Sequence, residues 1–277
     1  MIDGKTYGVV TFSQGLTSGG SRELFGDVGT VAFTATDATT GTAASDFNSF
    51  GLNRTPVEGS LNADVFWSNT GSEGVDDPVA EEDDTTEISY SLDTDTGAMT
   101  MLFGTTEPEQ ACFAGGGEFF VLTLDLDEGD PFDETCRGIV MGIRLGTSDP
   151  SLANKTYKML VLEKGIETNG SSRISRLLGA TLTITGAGTV TVEGTASELS
   201  RGNDLDTTIE SGSETFEETG TFSFSGNNGR ISVEVDGTIL EGWMNANGSV
   251  GALRLYNSNI DSDGEASLGI VILIEQN

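Results

Sequence analysis

The sequence predicts an all-β protein made of two tandem copies of one antiparallel domain. Three observations support this prediction: helical periodicity is nearly absent, apolar and polar residues alternate along short segments, and the chain contains an internal repeat. Residues 5–12 (KTYGVVTF) return as residues 155–162 (KTYKMLVL). A repeat of about 130 to 150 residues is too long for a solenoid and is typical of a duplicated domain.

The ends of the two copies also match, because residues 137–143 (RGIVMGI) parallel residues 268–274 (LGIVILI). We therefore place the first β domain at residues 1–148 and the second at residues 149–277. Residues 146–154, with Pro150 at their centre, form the predicted connector. Gly97 and Gly229 occupy matching turns, and Gly117 matches Gly248, so these glycines are expected to be structurally equivalent.

The strands follow from alternation and from turn residues. In the first copy we predict strands at 5–14, 22–36, 61–67, 88–92, 98–103, 118–126 and 137–145, with a loop at 37–60 and an acidic loop at 73–87. In the second copy we predict strands at 155–164, 172–185, 188–198, 215–225, 229–235, 238–246, 249–256 and 266–275.

About eight sequential antiparallel strands per copy favour a meander that closes as an up-and-down β-barrel. A β-sandwich is the competing architecture, and alternation alone does not separate the two. The bulky residues expected to fill the first barrel are Phe12, Phe33, Met99, Met101, Phe119 and Phe120. Tyr7 and Val9 are predicted on one face of the first strand, with Val10 and Phe12 on the other.

The charge and composition exclude several functions. A formal net charge of −31, from 44 acidic and 13 basic residues, repels nucleic acid and anionic lipid surfaces. The sequence contains no His, which removes Ser-His-Asp and Cys-His catalysis and imidazole metal sites. No apolar run reaches about 18 residues, so we predict no membrane-spanning helix, and with only 7% aromatic residues and no aromatic girdles we expect no membrane span of any kind.

We expect an exported protein, either periplasmic, surface-anchored or extracellular. The chain is rich in Thr, Ser and Gly and contains few Lys residues. Residue 1 is followed directly by a polar segment rather than by a signal peptide, so the expectation is a mature or trimmed chain.

The acidic loop is the candidate metal site. Clustered carboxylates and loop carbonyls can supply the six to eight oxygens that Ca²⁺ prefers, and the alternative is a solvated charged loop. The candidate ligands are Asp76, Asp77, Glu81, Glu82, Asp83 and Asp84. Residues 259–264 (NIDSDG) resemble the opening of a calcium loop, but Ile270 stands where a closing Glu is needed.

Cys112 and Cys136 are the two cysteines of the chain. In an exported protein a disulfide is the default. The predicted strand at 118–126 lies between them and spans roughly 25–30 Å, whereas a disulfide needs Cα atoms within about 7 Å. A fold-back of residues 104–117 would be required, and both alternatives remain open.

These observations predict a non-catalytic exported or cell-surface β-protein with a structural or interaction role. Apart from the candidate Ca²⁺ site, no cofactor is expected. One alternative is a lipocalin-like carrier, which resembles this plan only in outline and would hold a small apolar ligand inside one barrel. A second alternative is a self-assembling extracellular subunit, for example through pairing of an exposed edge strand. A protein partner or another copy of the chain is therefore expected.

Overall fold

The computed structural model describes residues 2–17, 22–57, 60–69, 88–103, 109–114, 116–128, 134–166, 172–186, 188–201, 209–226, 228–257 and 266–276. These residues form seventeen β-strands and no helix. In the described part of the chain, no helix is long and apolar enough to cross a membrane.

The first barrel is a ring of eight antiparallel strands in which β1 pairs with both β2 and β9. The ring order is β1-β2-β3-β5-β6-β7-β8-β9, while β4 pairs with β3 outside the ring. The strands are β1 (Thr6–Thr17), β2 (Arg22–Ala35), β3 (Thr40–Val57), β4 (Ser60–Asn69), β5 (Ile88–Leu92), β6 (Ala98–Phe103), β7 (Glu109–Ala114), β8 (Phe119–Glu128) and β9 (Glu134–Arg144).

The second barrel closes in strict sequence order from β10 to β17, with β17 pairing back onto β10. Its strands are β10 (Thr156–Ile166), β11 (Ser172–Ile184), β12 (Thr189–Arg201), β13 (Ile209–Phe224), β14 (Arg230–Val235), β15 (Thr238–Met244), β16 (Val250–Asn257) and β17 (Ala266–Glu275). The prediction of two tandem antiparallel barrels is confirmed, and the β-sandwich is not the architecture. The predicted boundary at residues 148 and 149 falls in the connector between β9 and β10.

Two strands of the first barrel differ from the sequence-based prediction. Residues 37–60 are not a loop, because β3 runs from Thr40 to Val57 and pairs with β2, β4 and β5. Its composition of Thr, Ser, Asn and Gly is typical of turns, and only pairing on both sides makes it a strand. The short strand β7 was also not predicted, because six residues between Pro108 and Gly115 carry too little alternation to stand out.

A buried tyrosine makes the same hydrogen bond at the same position of both barrels, as the repeat predicts. The hydroxyl of Tyr7 donates to the carbonyl oxygen of Gly117 at 2.7 Å, and the hydroxyl of Tyr157 donates to that of Gly248 at 2.7 Å. Both glycines have positive φ, 89° and 68°, so an L side chain at either position would be strained. Burial raises the pKa of both tyrosines.

The equivalence extends to the apolar residue that precedes the first strand of each copy and packs into its barrel core. Ile2 lies in the core of the first barrel and Leu152 in that of the second. In each copy the backbone turns back, with Lys5 N–H bonded to Ile2 O at 3.0 Å and Lys155 N–H bonded to Leu152 O at 3.2 Å. The connector therefore packs into the second barrel rather than hanging free.

The core of the first barrel is aromatic, with Tyr7, Phe33, Phe113 and Phe120 in edge-to-face or tilted contact at 5.2–6.0 Å between ring centroids. Phe33, Met99, Met101 and Phe120 fill it as predicted. The prediction for Phe12 and Phe119 is wrong, because both point away from this core. Aliphatic residues dominate the second core.

Candidate interaction surface

The outer walls of the two barrels pack against each other. The wall of the first barrel is the β1 face, which comprises Val10, Phe12, Leu24, Val28, Met141 and Ile143. The wall of the second is the β16 face, which comprises Trp243, Ala252, Arg254, Leu268 and Ile270. Apart from the arginine these side chains form one apolar cluster of their own, so the two barrels share a third hydrophobic core between them.

Trp243 anchors this contact. Its side chain is only 3% exposed although it points outward from its own barrel. The ring lies against the backbone of Gly8 so closely that a Cβ on Gly8 would overlap the ring and would lie 2.7 Å from Trp243 Cβ. Glycine at this position of β1 therefore makes the space that the indole fills. On its own barrel, the guanidinium of Arg230 lies over the indole at 5.7 Å.

A buried arginine joins the same two walls. Arg254 is 2% exposed, and its Nη1 donates to the carbonyl oxygen of Gly26 on the first barrel at 2.7 Å. Its Nη2 pairs with Glu241 at 3.1 Å, and Glu241 also pairs with Arg230 at 2.5 Å. Burial lowers the pKa of Arg254, and the charge of Glu241 opposes that shift. The ion pair and the carbonyl bond together give the buried charge its partners.

The sequence contains one signal for this interface that the strand predictions left unused. In an antiparallel barrel with a solvated exterior, outward residues are polar. Residues 270–274 (IVILI) are apolar on both faces of β17, and the adjacent Val9 and Val10 place apolar side chains on both faces of β1. An apolar outer face indicates that something covers it.

The second barrel carries a further apolar outer face that nothing in the described chain covers. Every large hydrophobic residue found exposed among the described residues belongs to it, with 37–48% of each side chain accessible. We call this set the β10 face: Leu160, Leu162, Ile174, Leu199 and Ile274.

Strand register makes the β10 face continuous. Lys158 pairs with Ile274, and Lys164 pairs with Ile174, which in turn pairs with Leu199. Lys158 and Arg176 are exposed among the apolar residues, and Lys164 is half-buried at the edge, where its Nζ donates to Gln14 of the first barrel at 2.5 Å. The β10 face is therefore apolar and basic on a chain whose net charge is −31.

The β10 face is the repeat equivalent of the β1 face. Val10 pairs with Val28 and Met141, as Leu160 pairs with Leu178 and Ile272. Gln14 pairs with Leu24, as Lys164 pairs with Ile174. One copy of this wall is covered by the other barrel, and the second copy is open to solvent.

Two cavities lie between the barrels. One, of about 270 Å³, is lined by Phe12, Gln14 and residues 137–139 of the first barrel and by residues 162–164 and Ile174 of the second. The other, of about 240 Å³, lies at the opposite edge and is lined by Glu118, Phe119, Ile143, Asn245, Asn247, Ser249 and Val250. The first cavity continues the β10 face into the cleft.

The predicted metal ligands Asp76, Asp77, Glu81, Glu82, Asp83 and Asp84 lie outside the described residues, as do residues 259–264. Within the described ranges, no group of three or more His, Cys, Asp or Glu side chains is arranged to hold a metal ion. The pKa values of the Asp37 and Asp93 carboxyl groups are lowered by hydrogen bonds within their own turns. The cause at Asp37 is hydrogen bonding from the Thr39 backbone and then from Thr40, and at Asp93 bonding from Thr96 and then from the Asp95 backbone.

Cys112 is exposed and free. It pairs with Val121, whereas Cys136 pairs with Leu126 on the same strand β8. The two cysteines are therefore two strands apart and offset by five residues, or roughly 17 Å along the strand. The alternative in which the strands hold the cysteines apart agrees with this register.

No family model matches the sequence, and comparison with curated proteins gives no match either. Among solved structures, the chain is weakly similar to the Helicobacter pylori β clamp in complex with carprofen, at 8% identity over 96% of this chain and 91% of that chain. The TM-score of 0.11 is too low to carry any argument about fold or function.

Proposed function

We propose that this chain is a non-catalytic exported or cell-surface β-protein whose paired barrels serve a structural or interaction role. The observation that carries the proposal is the β10 face, an uncovered apolar wall with basic residues on an otherwise acidic protein. Contiguous exposed apolar surface usually marks an interaction site. The location outside the cytoplasm is proposed from the composition, which is rich in Thr, Ser and Gly and poor in Lys.

The inter-barrel core supports a structural role. Ten buried apolar residues lie between the two walls, and Arg254 crosses from one wall to the other. An interface of this kind holds two domains as one unit, whereas hydrated interfaces between domains permit relative motion. The β10 face is thus presented at a fixed angle to the first barrel.

The carrier alternative has less support. The two cavities of about 240 and 270 Å³ lie between the barrels rather than inside them, and they are smaller than the roughly 300–1,000 Å³ typical of sites for drug-sized ligands. Aromatic and aliphatic side chains occupy the barrel interiors.

Native mass spectrometry with and without a chelator separates these functions. We expect the sequence mass with no bound molecule, because the described cavities are small. A retained mass of a few hundred daltons that resists chelation would favour the carrier, and mass lost on chelation would indicate a bound cation. In parallel, 1-anilinonaphthalene-8-sulfonate fluorescence should fall in the variant Leu160→Glu/Ile174→Glu relative to the wild type. The control is Glu234→Gln at an exposed position on β14, on the opposite side of the barrel. Equal fluorescence in all three would contradict an accessible apolar face.

A further inference from the structure

We propose that the β10 face binds a second copy of this chain, so that copies associate head to tail. The site bound on the second copy is the β8 face of its first barrel, which comprises Cys112, Phe119, Val121 and Thr123. This inference rests on the proposed interaction role and names its partner. It follows from how the two repeats pack within one chain.

The repeats pack through non-equivalent walls. The first barrel uses β1, β2 and β9, and the second uses β15, β16 and β17. Each barrel also has the wall that its sister uses. The β10 face on the second barrel is therefore left open, and the β8 face on the first is left partly open, because Phe119 and Val121 pack at the edge of the inter-barrel core. An interface between unlike walls extends a chain of subunits unless the rotation closes a ring.

The register defines the β8 face as the equivalent of the β16 face. Cys112 pairs with Val121 as Trp243 pairs with Ala252. Thr123 pairs with Ile139 as Arg254 pairs with Ile270. By the same register, Phe119 matches Val250.

The composition of the β8 face suits the β10 face. Phe119 and Val121 are half-buried apolar residues in the middle of the face, and Cys112 and Thr123 are exposed beside them. None of these four is charged. Arg137, which matches Leu268 by the same register, is the basic residue at the edge of the face, and it pairs in register with Asp125. Apolar side chains from one copy would meet Leu160 and Leu162 from the other.

Charge disfavours the other way of covering the β10 face. If two copies paired symmetrically, Lys158 and Arg176 of one copy would meet the same residues of its partner. Like charges juxtaposed at an interface disfavour binding. The unlike pairing avoids this, and the acidic remainder of the chain attracts the basic face.

The free walls also lie at a usable angle. In each eight-stranded ring the free wall is centred two strands from the buried one, β8 from β1 and β10 from β16. The free wall is therefore about a quarter turn away around the barrel. A barrel docked there would reach the edge of the 270 Å³ cavity, where Phe12 and Ile139 line the cleft beside Leu162.

The interchain contact should be weaker than the one inside the chain. The tryptophan that fits against Gly8 is replaced by Cys112, and the glycine is replaced by Lys158. The buried Arg254 is replaced by Thr123. Without an anchor residue of this kind, we expect concentration-dependent association rather than a permanent complex.

Sedimentation velocity from about 10 μM to 1 mM tests this, a range in which weak interfaces associate. About 0.5 M salt should be present, because it screens the self-repulsion of an acidic chain. The wild type should form a concentration-dependent series beyond the dimer. Leu160→Glu/Ile174→Glu blocks the β10 face, and Cys112→Arg/Thr123→Arg blocks the β8 face. Each variant alone should associate at least about tenfold more weakly.

Mixing the two variants is the decisive step. Each retains the wall that the other has lost, so an equimolar mixture should form one-to-one pairs that grow no further. All four altered residues are exposed or partly exposed, and thermal unfolding checks that the variants remain folded. A dimer that persists when only the β8 face is blocked would overturn head-to-tail pairing in favour of symmetric pairing, and would leave the proposed interaction role intact.

A disulfide trap gives an independent readout. Within the chain, a Cβ on Gly8 would lie 2.7 Å from Trp243 Cβ. The equivalent residues in neighbouring copies are Lys158 and Cys112, so a Lys158→Cys side chain should come within disulfide reach of Cys112. Mild oxidation should give a ladder of covalent multimers that is lost on adding Cys112→Ser and kept on adding Cys136→Ser.

Glu234→Cys, which places a thiol on the exposed side of β14, four strands from β10 around the barrel, is the positional control and should give no ladder. Monomers at every concentration with no ladder would overturn the self-association. The dye experiment would still report whether the β10 face is accessible, so the two failures are distinguishable.

Discussion

Gly8→Ala tests whether the two barrels are held together by the contact of Trp243 with β1. The added methyl carbon would overlap the indole ring and would lie 2.7 Å from Trp243 Cβ. Non-bonded carbons need about 3.5–4.0 Å, so the walls must move apart by about 1 Å. Overpacking of a dense core typically costs about 1–3 kcal/mol. We expect about 3 kcal/mol, because Trp243 is buried and Arg230 lies over its ring.

Urea unfolding followed by tryptophan fluorescence measures this loss. The matched control is Gly212→Ala, where a methyl meets no atom within 4 Å, and it should change stability by less than about 0.5 kcal/mol. Trp243→Ala alone should cost about 3–5 kcal/mol. Because the clash disappears with the ring, the double variant Gly8→Ala/Trp243→Ala should cost little more than Trp243→Ala. Additive costs, or equal stability of Gly8→Ala and Gly212→Ala, would refute the packing argument.

Three further predictions concern hydrogen bonds and charge. Tyr157→Phe should lower stability by about 1–2 kcal/mol at pH 8. Burial raises the pKa of Tyr157, so at pH 11 the tyrosine ionises in the unfolded state first, and the wild type should lose about 1.4 kcal/mol of that advantage. Urea titrations at both pH values measure the two differences. Arg254→Met leaves Glu241 with one partner and should cost about 3–5 kcal/mol by urea unfolding, with Arg254→Lys recovering only part. Asp37 has a pKa of about 2, so stability should fall as the pH drops from about 4 through 2, and Asp37→Asn should flatten that fall in acid titration.

The repeat made much of the fold predictable. Short-range alternation located most strands, and the repeated motifs matched Tyr7 with Tyr157 and Gly117 with Gly248. Those four residues form one hydrogen-bonding arrangement twice over. The aligned ends of the two copies also match Gly138 with Gly269, and another strand's backbone approaches both glycines closely. A Cβ at Gly138 would meet Phe12 O at 2.7 Å, and one at Gly269 would meet Leu162 O at 2.5 Å.

The predictions were wrong where a strand depends on its neighbours rather than on its own residues. Polar and small residues in β3 have little strand preference, and long-range pairing with β2 and β5 decides their conformation. Phe12 and Phe119 were expected inside the barrel because alternation gives two faces without saying which faces inward. A second barrel outside the first makes both faces of β1 apolar, so hydrophobicity could not distinguish them.

The candidate surface was not predictable from residue types, because it depends on which copy of a wall is covered. Leu160 and Val10 occupy the same register position and are both aliphatic, yet one is 37% exposed and the other is buried. Only the packing of whole barrels separates them.

The distribution of charge gives this difference a consequence. On a chain with 44 acidic residues, general self-repulsion opposes unselective association. The β10 face combines its open apolar side chains with Lys158 and Arg176, and these two basic side chains attract a neighbour's negative charge. Net charge and local charge therefore act together. The net charge keeps copies apart in most orientations, and the local charge favours the orientation in which a neighbour docks on the wall that the chain itself leaves uncovered. Duplication of a domain that packs through unlike walls produces such an orientation without any new binding site.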